Sequence, residues 1–345
     1  MTRTTILSVD EIGNLATRAL RGSNVSLHNA RSVAGSIAAA ERDGQAIVGL
    51  SYLPTYCDHA ACGKVDGNAV PRLEQLTPSV LHVDACCGFA HPAIELAEDA
   101  LQAAGHKHGI AALSIGNSYA CGSLGYFVEK LARNGLVALM TANTSPSIAA
   151  YGGRGAFFGT NPIAFAVPRA STEPLVIDQS SSVVAKVAVI DAHNRGVKLP
   201  DGWAIDADGR PTNDATAAMS GALLPIGGYK GSSLALMVDV LSAGLTRSNW
   251  SFEASSFGDC LGGSPRTGQF IIVLDPLLFG GNDFAARVEV MLAALLKIPN
   301  VRLPGDRRLE WRKNNIRYGI AIDDGLLARI EHHCVSTETS ILLVS

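Results

Sequence analysis

Two short, uninterrupted apolar runs bracket a helix in this chain, and that triplet narrows the possible folds more than any other feature. "GIAALSI" (109–115) and "LVALMTAN" (136–143) show no polar alternation, the pattern of strands covered on both faces. Between them "GSLGYFVEKLARNG" (122–135) reads as a helix closed by Gly135. Upstream, Pro92 sits at the first-turn position of a further helix and Gly105 at its expected stop, so a helix is predicted over His91–Ala104. Helix, strand, helix and strand in this order place the chain in the α/β class.

The flanks add to this frame. Ser8-Val9-Asp10-Glu11 has the spacing of a capping box, predicting a helix to Arg21 with Gly22 as its stop. A second helix is expected over Leu27–Glu41, with Val33, Ile37 and Ala40 on one face, and "SVLHVDACCGFA" (79–90) reads as extended structure and turn. "PLVIDQSSS" (174–182) is a strand breaking into a polar turn, followed by a helix over Val183–His193. "LPDGWAIDADGRPTNDA" (199–215) is expected as a long polar loop, and a helix over about Ser232–Leu245 follows the glycine loop "GGYKG". "GQFIIVLDP" (268–276) is a strand, and Phe284, Val288, Met291 and Leu295 recur at helical spacing over Asn282–Leu296.

Composition excludes several functions. Charged residues make up 17% and the net charge is −3, so no basic face for nucleic acid is implied. No apolar stretch reaches the length of a membrane span, and "MTRTTILSVDEIG" lacks the apolar run of a signal peptide. The seven cysteines are odd in number and include no C-x-x-C, which points to buried thiols in a reducing compartment. His106 with His108 and His332 with His333 are too closely spaced to share a metal from a helix, so no metal site is expected.

No G-x-G-x-x-G and no Walker sequence is present, and Gly153–Gly159 leads into a strand where a Rossmann turn needs a helix. Three other segments offer oxygen recognition. "IDQSSS" places Asp178 at a strand end, with hydroxyls and amides behind it, suited to a ribose diol or a phosphate. "GYKG" puts Lys230 at a helix start, and "PGDRR" supplies Arg307 and Arg308 beside Asp306. Each alone is more often a cap or a solvated charge; jointly they make a phosphorylated dinucleotide as good a reading as that one. Ser118 and Cys121 in "GNSYACGS" do not form a nucleophile elbow.

Four segments together, "GNSYACGSLGYFVEKLARNGLVALMTANTSPSIAAYGGRGAFFGTNPIAFAVP", "IDQSSS", "LPDGWAIDADGRPTNDA" with "LLPIGGYKG", and "LPGDRR", resemble the type-2 malate/L-lactate dehydrogenase family over about Val9–Ile322. "DGQ", "GLS", "GKVDG" and "NSY" resemble its branch that reduces the cyclic imino acids Δ1-pyrroline-2-carboxylate and Δ1-piperideine-2-carboxylate. The resemblance implies an α/β, non-Rossmann NAD(P)-binding fold. A sheet-centred cofactor domain is expected over 118–299. A helical, dimerising domain is expected from both chain ends, 1–117 with 300–345. It further implies a cytoplasmic homodimer with a small-molecule substrate and neither nucleic acid, membrane nor metal. Cofactor contacts map onto Asp178, Gln179, Ser180, Ser182, Lys230, Gly231 and Pro304–Arg308. Arg307, Arg308 or Lys186 is placed to receive a 2′-phosphate, which tilts the cofactor towards NADPH over NADH. Thr160 in "GTNP", Ser118, Tyr52 and His59 are the substrate-contact candidates.

One stretch departs from the family. "RDGQAIVGLSYLP" (42–54) carries Ile47 and Val48 where the family has Ser-His, and Tyr52 where it has a carboxylate-clamping Arg; Ala120 and Ala188 stand at two further polar positions. Hydrocarbon neither gives nor takes a proton. The expectation is therefore hydride transfer to a C=N substrate without the usual Ser-His donor, since an imine protonated in solution needs an enzymic acid less than a carbonyl does. The alternatives are a catalytically impaired relative that binds cofactor as a scaffold or regulator, and a 2-oxo acid/2-hydroxy acid dehydrogenase. NADPH oxidation with imines and oxo acids separates them.

Overall fold

The computed structural model describes residues 3–334, so the last eleven residues of the expected helical domain lie outside the described residues. Strand β1 (Thr4–Leu7) leads into α1 (Val9–Gly22), where the Ser8 hydroxyl accepts from the Glu11 amide and the Glu11 carboxylate accepts from Ser8 N–H, the reciprocal cap its spacing predicted. Helix α2 (Leu27–Arg42) follows, then a 3-10 turn (Ala46–Val48) and α3 (Leu53–Ala61). Next come β2 (Arg72–Thr77), β3 (Val80–Asp84), α4 (Ala90–His108), β4 (Ile110–Ser118), α5 (Leu124–Arg133) and β5 (Val137–Ala142). The chain continues through β6 (Ile148–Ala149), β7 (Ala156–Phe158), β8 (Ile163–Val167), β9 (Leu175–Gln179) and α6 (Lys186–Asn194). Short strands β10 (Ala204–Ile205) and β11 (Pro211–Thr212), α7 (Ala215–Met219), β12 (Ala222–Leu223) and α8 (Tyr229–Asp239) lead into a π turn (Val240–Gly244). Strand β13 (Thr267–Leu274), α9 (Pro276–Gly280), α10 (Phe284–Leu296), α11 (Asp306–Tyr318), β14 (Ile320–Asp323) and α12 (Asp324–Cys334) complete it.

Seven strands form the main sheet in the order β2-β3-β4-β13-β5-β8-β9, in which only β3 and β4 run parallel. Strand β13 lies at its centre with Ile271 opposite Leu113 on one side and Met140 on the other. Helices α4 and α5 pack on the sheet, and their apolar faces share one core with β3, β4, β5 and β13. A second core joins α1, α2, α3, α12 and the β1–β14 ribbon, so the described chain ends do meet in one helical layer. A small sheet, β11-β10-β12-β6-β7, carries α6 and α7.

The domain boundary expected at 117/118 is corrected by this topology. Strands β2, β3 and β4 belong to the main sheet, and Leu81, Val83 and Leu113 share its core. The sheet domain therefore begins near Arg72, because β3 is held by a parallel partner that no local pattern announces. Three local expectations are corrected as well. Helix α4 passes through Gly105 and ends at Gly109, whose φ is 81°; a Cβ on Gly105 would stand 2.8 Å from Val273 Cγ2, so this glycine serves close packing on the sheet. The polar loop 199–215 holds β10, β11 and a turn in which Asp206 accepts from the Asp208 and Arg210 amides. Of the cysteines only Cys57 and Cys121 are buried, while Cys62 and Cys260 are exposed. Helix α10 forms as its spacing predicted, but only Leu292 is buried on it.

Candidate functional site

The best-formed recognition features gather where the helical layer meets the C-terminal ends of β4 and β9. A cleft of about 490 Å³ is walled by Asp178 and Gln179 at the end of β9, by Ser123 and Gly125 at the start of α5, and by Pro304, Arg307 and Arg308. Segments distant in sequence thus meet in one cleft, and Asp43, Gln45 and the Trp311 ring complete the wall. Asp178 does two things at once. Its Oδ2 accepts from Gly125 N–H at 2.7 Å and Ser123 Oγ–H at 2.9 Å, closing the N-terminus of α5. Crowding by protein atoms pushes its carboxyl up against the pull of those bonds and of Arg308. The residue is nevertheless open to the cleft, so water moderates that rise.

A buried ion network sets the position of α11, and so the width of the cleft. Arg312 reaches Asp43 at the C-terminal end of α2 (Nε to Oδ1, 2.8 Å) and Glu129 on α5 (Nη1 to Oε1, 2.6 Å), and Arg308 Nη1 bridges the same two carboxylates. Burial alone would raise both acids. The Arg312 and Arg42 contacts keep Asp43 below its ordinary value, and Arg312 with Arg308 hold Glu129 at about 2. Arg308 Nη2 is buried without a partner. An orphaned guanidinium N–H, an open carboxylate and an indole face in one cleft fit a nucleotide bearing phosphate and ribose.

A second cavity of about 150 Å³ adjoins the cleft along two chain turns: Gln45 and Ser123 line the cleft, Val48 and Gly122 the cavity. Its wall is largely apolar and includes Val48, Tyr52, Ala120, Thr144 and Gln269. Gln269 is 1% exposed and comes from the centre of the sheet; its Nε2 donates to the Tyr119 carbonyl at 3.2 Å, and its Oε1 has no partner. The loop leading to the cavity is fixed from behind by Glu41. Its carboxylate, pushed up by burial, accepts from Leu50 N–H at 2.7 Å and leaves no room for a side chain at Gly49.

The "GTNP" segment fastens the two compartments. A Cβ on Gly159 would stand 2.3 Å from the Thr144 carbonyl, and the buried Asn161, at φ 39°, accepts from Thr144 N–H and Ser251 Oγ–H and donates to Ala235 O. Thr160 does not line the cavity; its hydroxyl lies 3.3 Å from that of Thr144, which does. Ser181 binds the backbone carbonyls of Thr160 and Asn161, and Ile226 N–H donates to Ser181 O, so the "QSSS" and "GGYKG" turns are tied to the same frame.

Several expected contacts are not in either wall. Ser180 and Ser182 bond each other, and Ser182 donates to Val184 O. Lys186 begins α6, and Ala188 sits in its first turn, where the helix packs on α7 away from Val48. Lys230 is exposed on the first turn of α8, and Gly231 is buried because a Cβ would strike Ile226 backbone. Asp306 accepts from Leu303 N–H instead of facing the cleft. Ser118 is fully buried and donates to its neighbour's carbonyl. Of the Ser-His positions, Val48 lines the cavity while Ile47 is 52% exposed. His59 is buried and bonded to the Tyr119 hydroxyl, and neither residue lines the cavity. Gln269, Tyr119, Asp43 and Arg312 were not legible as site residues; the D-G turn at Asp43-Gly44 was the one local signal.

A seven-stranded mixed sheet with a nucleotide-fitting cleft beside a small apolar cavity, and no Gly-rich Rossmann turn, defines the class: a non-Rossmann α/β dehydrogenase fold. The chain belongs to the malate/L-lactate dehydrogenase family, whose model matches residues 7–331. It is 43% identical over 308 residues to the (2R)-3-sulfolactate dehydrogenase (NADP(+)) of Chromohalobacter salexigens, covering 89% of this chain and 92% of that one. It is 41% identical over 300 residues to a Delta(1)-pyrroline-2-carboxylate/Delta(1)-piperideine-2-carboxylate reductase of Pseudomonas syringae pv. tomato, covering 87% and 88%. The crystal structure of the delta1-piperideine-2-carboxylate reductase from that organism superposes with a TM-score of 0.91 at 39% identity, over 96% of this chain and all of the other. No helix among the described residues is long and apolar enough to cross a membrane, and they contain no cluster of three metal-ligating side chains.

Proposed function

We propose that this protein is an NADPH-dependent reductase of cyclic imino acids. The observation that carries the reading is the unpartnered Oε1 of Gln269 in a largely apolar cavity beside the cleft. A buried amide oxygen without a donor costs free energy, and an N–H on the substrate removes that cost. An iminium or amine nitrogen offers such a hydrogen; the oxygen of a 2-oxo acid does not, and would face Oε1 lone pair to lone pair. The cofactor, when bound, supplies the hydride. Asp178 would hold the ribose diol through its free oxygen, Trp311 would cover the adenine, Arg307 would take the 2′-phosphate, and the hydroxyls of Thr144 and Thr160 stand at the edge of the substrate cavity.

A 2-hydroxy-acid dehydrogenase is the second reading, favoured by the sulfolactate relative. Initial rates of NADPH oxidation with Δ1-piperideine-2-carboxylate and with open-chain 2-oxo acids decide between them: turnover of the imine is expected, and preference for the oxo acids would replace the first reading by the second. A cytoplasmic homodimer belongs to the same proposal. Its support is the apolar face of α9 and α10, where Phe279 is 69%, Val290 71% and Met291 59% exposed. Sedimentation at micromolar concentration tests it, a monomer being the contrary result.

A further inference from the structure

We propose that Cys62 and Cys260 are a redox modification site, a pair of thiols that closes to a reversible disulfide and clips the loop 255–263 to the end of α3. Both are exposed, and neither lines the cleft or the cavity. The Cys62 thiol donates to the His59 carbonyl at 3.6 Å, and the Cys260 thiol lies 3.9 Å from the Asp58 carbonyl, 202 residues away in sequence. These are neighbouring carbonyls in the last turn of α3, and the Asp58 oxygen that receives Cys260 also accepts from Cys62 N–H at 2.9 Å. Two segments distant in sequence thus bring their sulfurs to one helix end. In keeping with this, the Cys62 thiol is the foremost of the groups that push the Cys260 thiol above its ordinary value. Lys64 holds the loop there. It is 1% exposed, and its Nζ donates to the carbonyls of Asp259 at 2.8 Å and Leu261 at 2.6 Å, the residues on either side of Cys260. A buried ammonium needs those acceptors, so the Cys260 backbone is fixed beside α3. Within the loop, Asp259 Oδ1 accepts from Leu261 N–H at 2.8 Å, and Ser255 Oγ–H donates to Gly263 O at 2.8 Å. The other cysteines are placed differently: Cys57 and Cys121 are buried, Cys86 and Cys87 are consecutive, and Cys334 donates to Ile330 O on its own helix.

The oxidant is a small-molecule disulfide of the glutathione type. One protein thiolate attacks a sulfur of that disulfide; its S–S bond breaks, a mixed disulfide forms and one small thiolate leaves. The second protein thiolate then attacks the protein-bound sulfur of the mixed disulfide, forming the Cys62–Cys260 bond and expelling the second small thiolate. Two protein thiols are oxidised, one small disulfide is reduced, and the two protons lost by the protein end on the two small thiols. Exposure of both cysteines gives the oxidant access, and excess small thiol runs the sequence backwards, so the pair rests reduced in a reducing pool and closes as the disulfide fraction rises. The clip would fasten the layer behind the substrate cavity. Helix α3 follows Tyr52 and carries Tyr56, both in the cavity wall, while Phe257 in the loop packs edge-on against Tyr119 with ring centroids 5.2 Å apart, and the Tyr119 carbonyl holds Gln269. Because the bond closes a long stretch of chain, it restricts the unfolded state strongly and raises the stability of the folded one.

The test treats the full-length protein, Cys62→Ser and Cys260→Ser with glutathione disulfide in the absence of substrate and coenzyme, then alkylates the remaining thiols, counts them in denaturant and maps the peptides by mass. Wild type is expected to lose two of its seven free thiols, to yield one peptide pair joined through Cys62 and Cys260 within a single chain, and to regain all seven with dithiothreitol. Its thermal midpoint should rise by about 3–8 °C on oxidation and return on reduction. Each single variant should show no such rise and should carry a glutathione adduct on the cysteine that remains. Seven free thiols after oxidation, a wild-type Cys62 or Cys260 that stops at the glutathione adduct, or a bond from either one to another cysteine or a second chain overturns the site. A linked protein whose thermal midpoint is unchanged or lower overturns the clip. The wild-type peptide map decides the pairing even where a serine variant fails to fold. No outcome here depends on imine turnover, so failure of the clip leaves the imine-reductase reading standing.

Discussion

The cleft and the cavity lie side by side yet are built from opposite chemistry. The cleft is wide and charged, with one open carboxylate, an exposed guanidinium and a second guanidinium, that of Arg308, whose Nη2 has no partner. The cavity is small and mostly hydrocarbon, with the amides of Asn143 and Gln269, the Thr144 hydroxyl, the Cys121 thiol and two phenols as its polar groups. The difference follows from what each must hold. Phosphate and ribose are recognised by charge and paired oxygens, whereas a hydride acceptor needs exclusion of water and one proton delivered at one atom. The ions that shape the cleft are themselves buried, and that is where the comparison breaks first.

Arg312→Ala should have the largest effect. It leaves the Asp43 and Glu129 carboxylates buried with fewer partners and should cost about 3–5 kcal/mol in unfolding free energy, read by urea denaturation. The same network predicts acid lability. Glu129 is held at about 2 in the folded state against an ordinary 4.5, so its contribution is intact above 4.5 and is lost as pH falls towards 2. Thermal melts between pH 5 and 2 should show a loss that Glu129→Gln reduces. Asp178→Ala sharpens the comparison from the cleft side: NADPH Kd, followed by nicotinamide fluorescence, should rise about 10–100-fold as a charge-assisted bond is lost. From the cavity side, Gln269→Leu should reduce the preference for imine over oxo acid about tenfold, read as the ratio of kcat/KM values. Arg307→Ala should give the smallest effect, a shift of about threefold to tenfold in NADPH over NADH preference, since that side chain is exposed.

The two regions also differed in how far the sequence disclosed them. Asp178, Arg307 and Arg308 were legible because strand ends and runs of charge are local signals, Gln179 and Pro304 were implied by the family resemblance, and the cleft brings all five together. The family resemblance added the "GTNP" turn, whose Gly159 and Asn161 are demanded by close backbone approach. The capping box at Ser8 and the strands around 109–143 followed from periodicity and caps. What stayed hidden was long-range. Arg312 and Asp43 are 269 residues apart, and Gln269 and Tyr119 are 150 apart. No spacing rule joins such pairs; the sheet register does. Gly105 failed as a helix stop for the same reason, its role being to admit Val273 from a distant strand. The apolar Ile47-Val48 pair was readable in the sequence, but only packing distinguished Val48, which lines the cavity, from Ile47, which faces outward.

The central claim is that a charged coenzyme cleft serves an apolar cavity built for a C=N bond. Initial rates at saturating NADPH with Δ1-piperideine-2-carboxylate and a matched open-chain 2-oxo acid, with coenzyme binding followed by fluorescence, test it most directly. The account predicts bound NADPH and a kcat/KM for the imine at least about tenfold above that for the oxo acid. Bound NADPH with the oxo acid reduced faster, or with neither compound reduced, would contradict it.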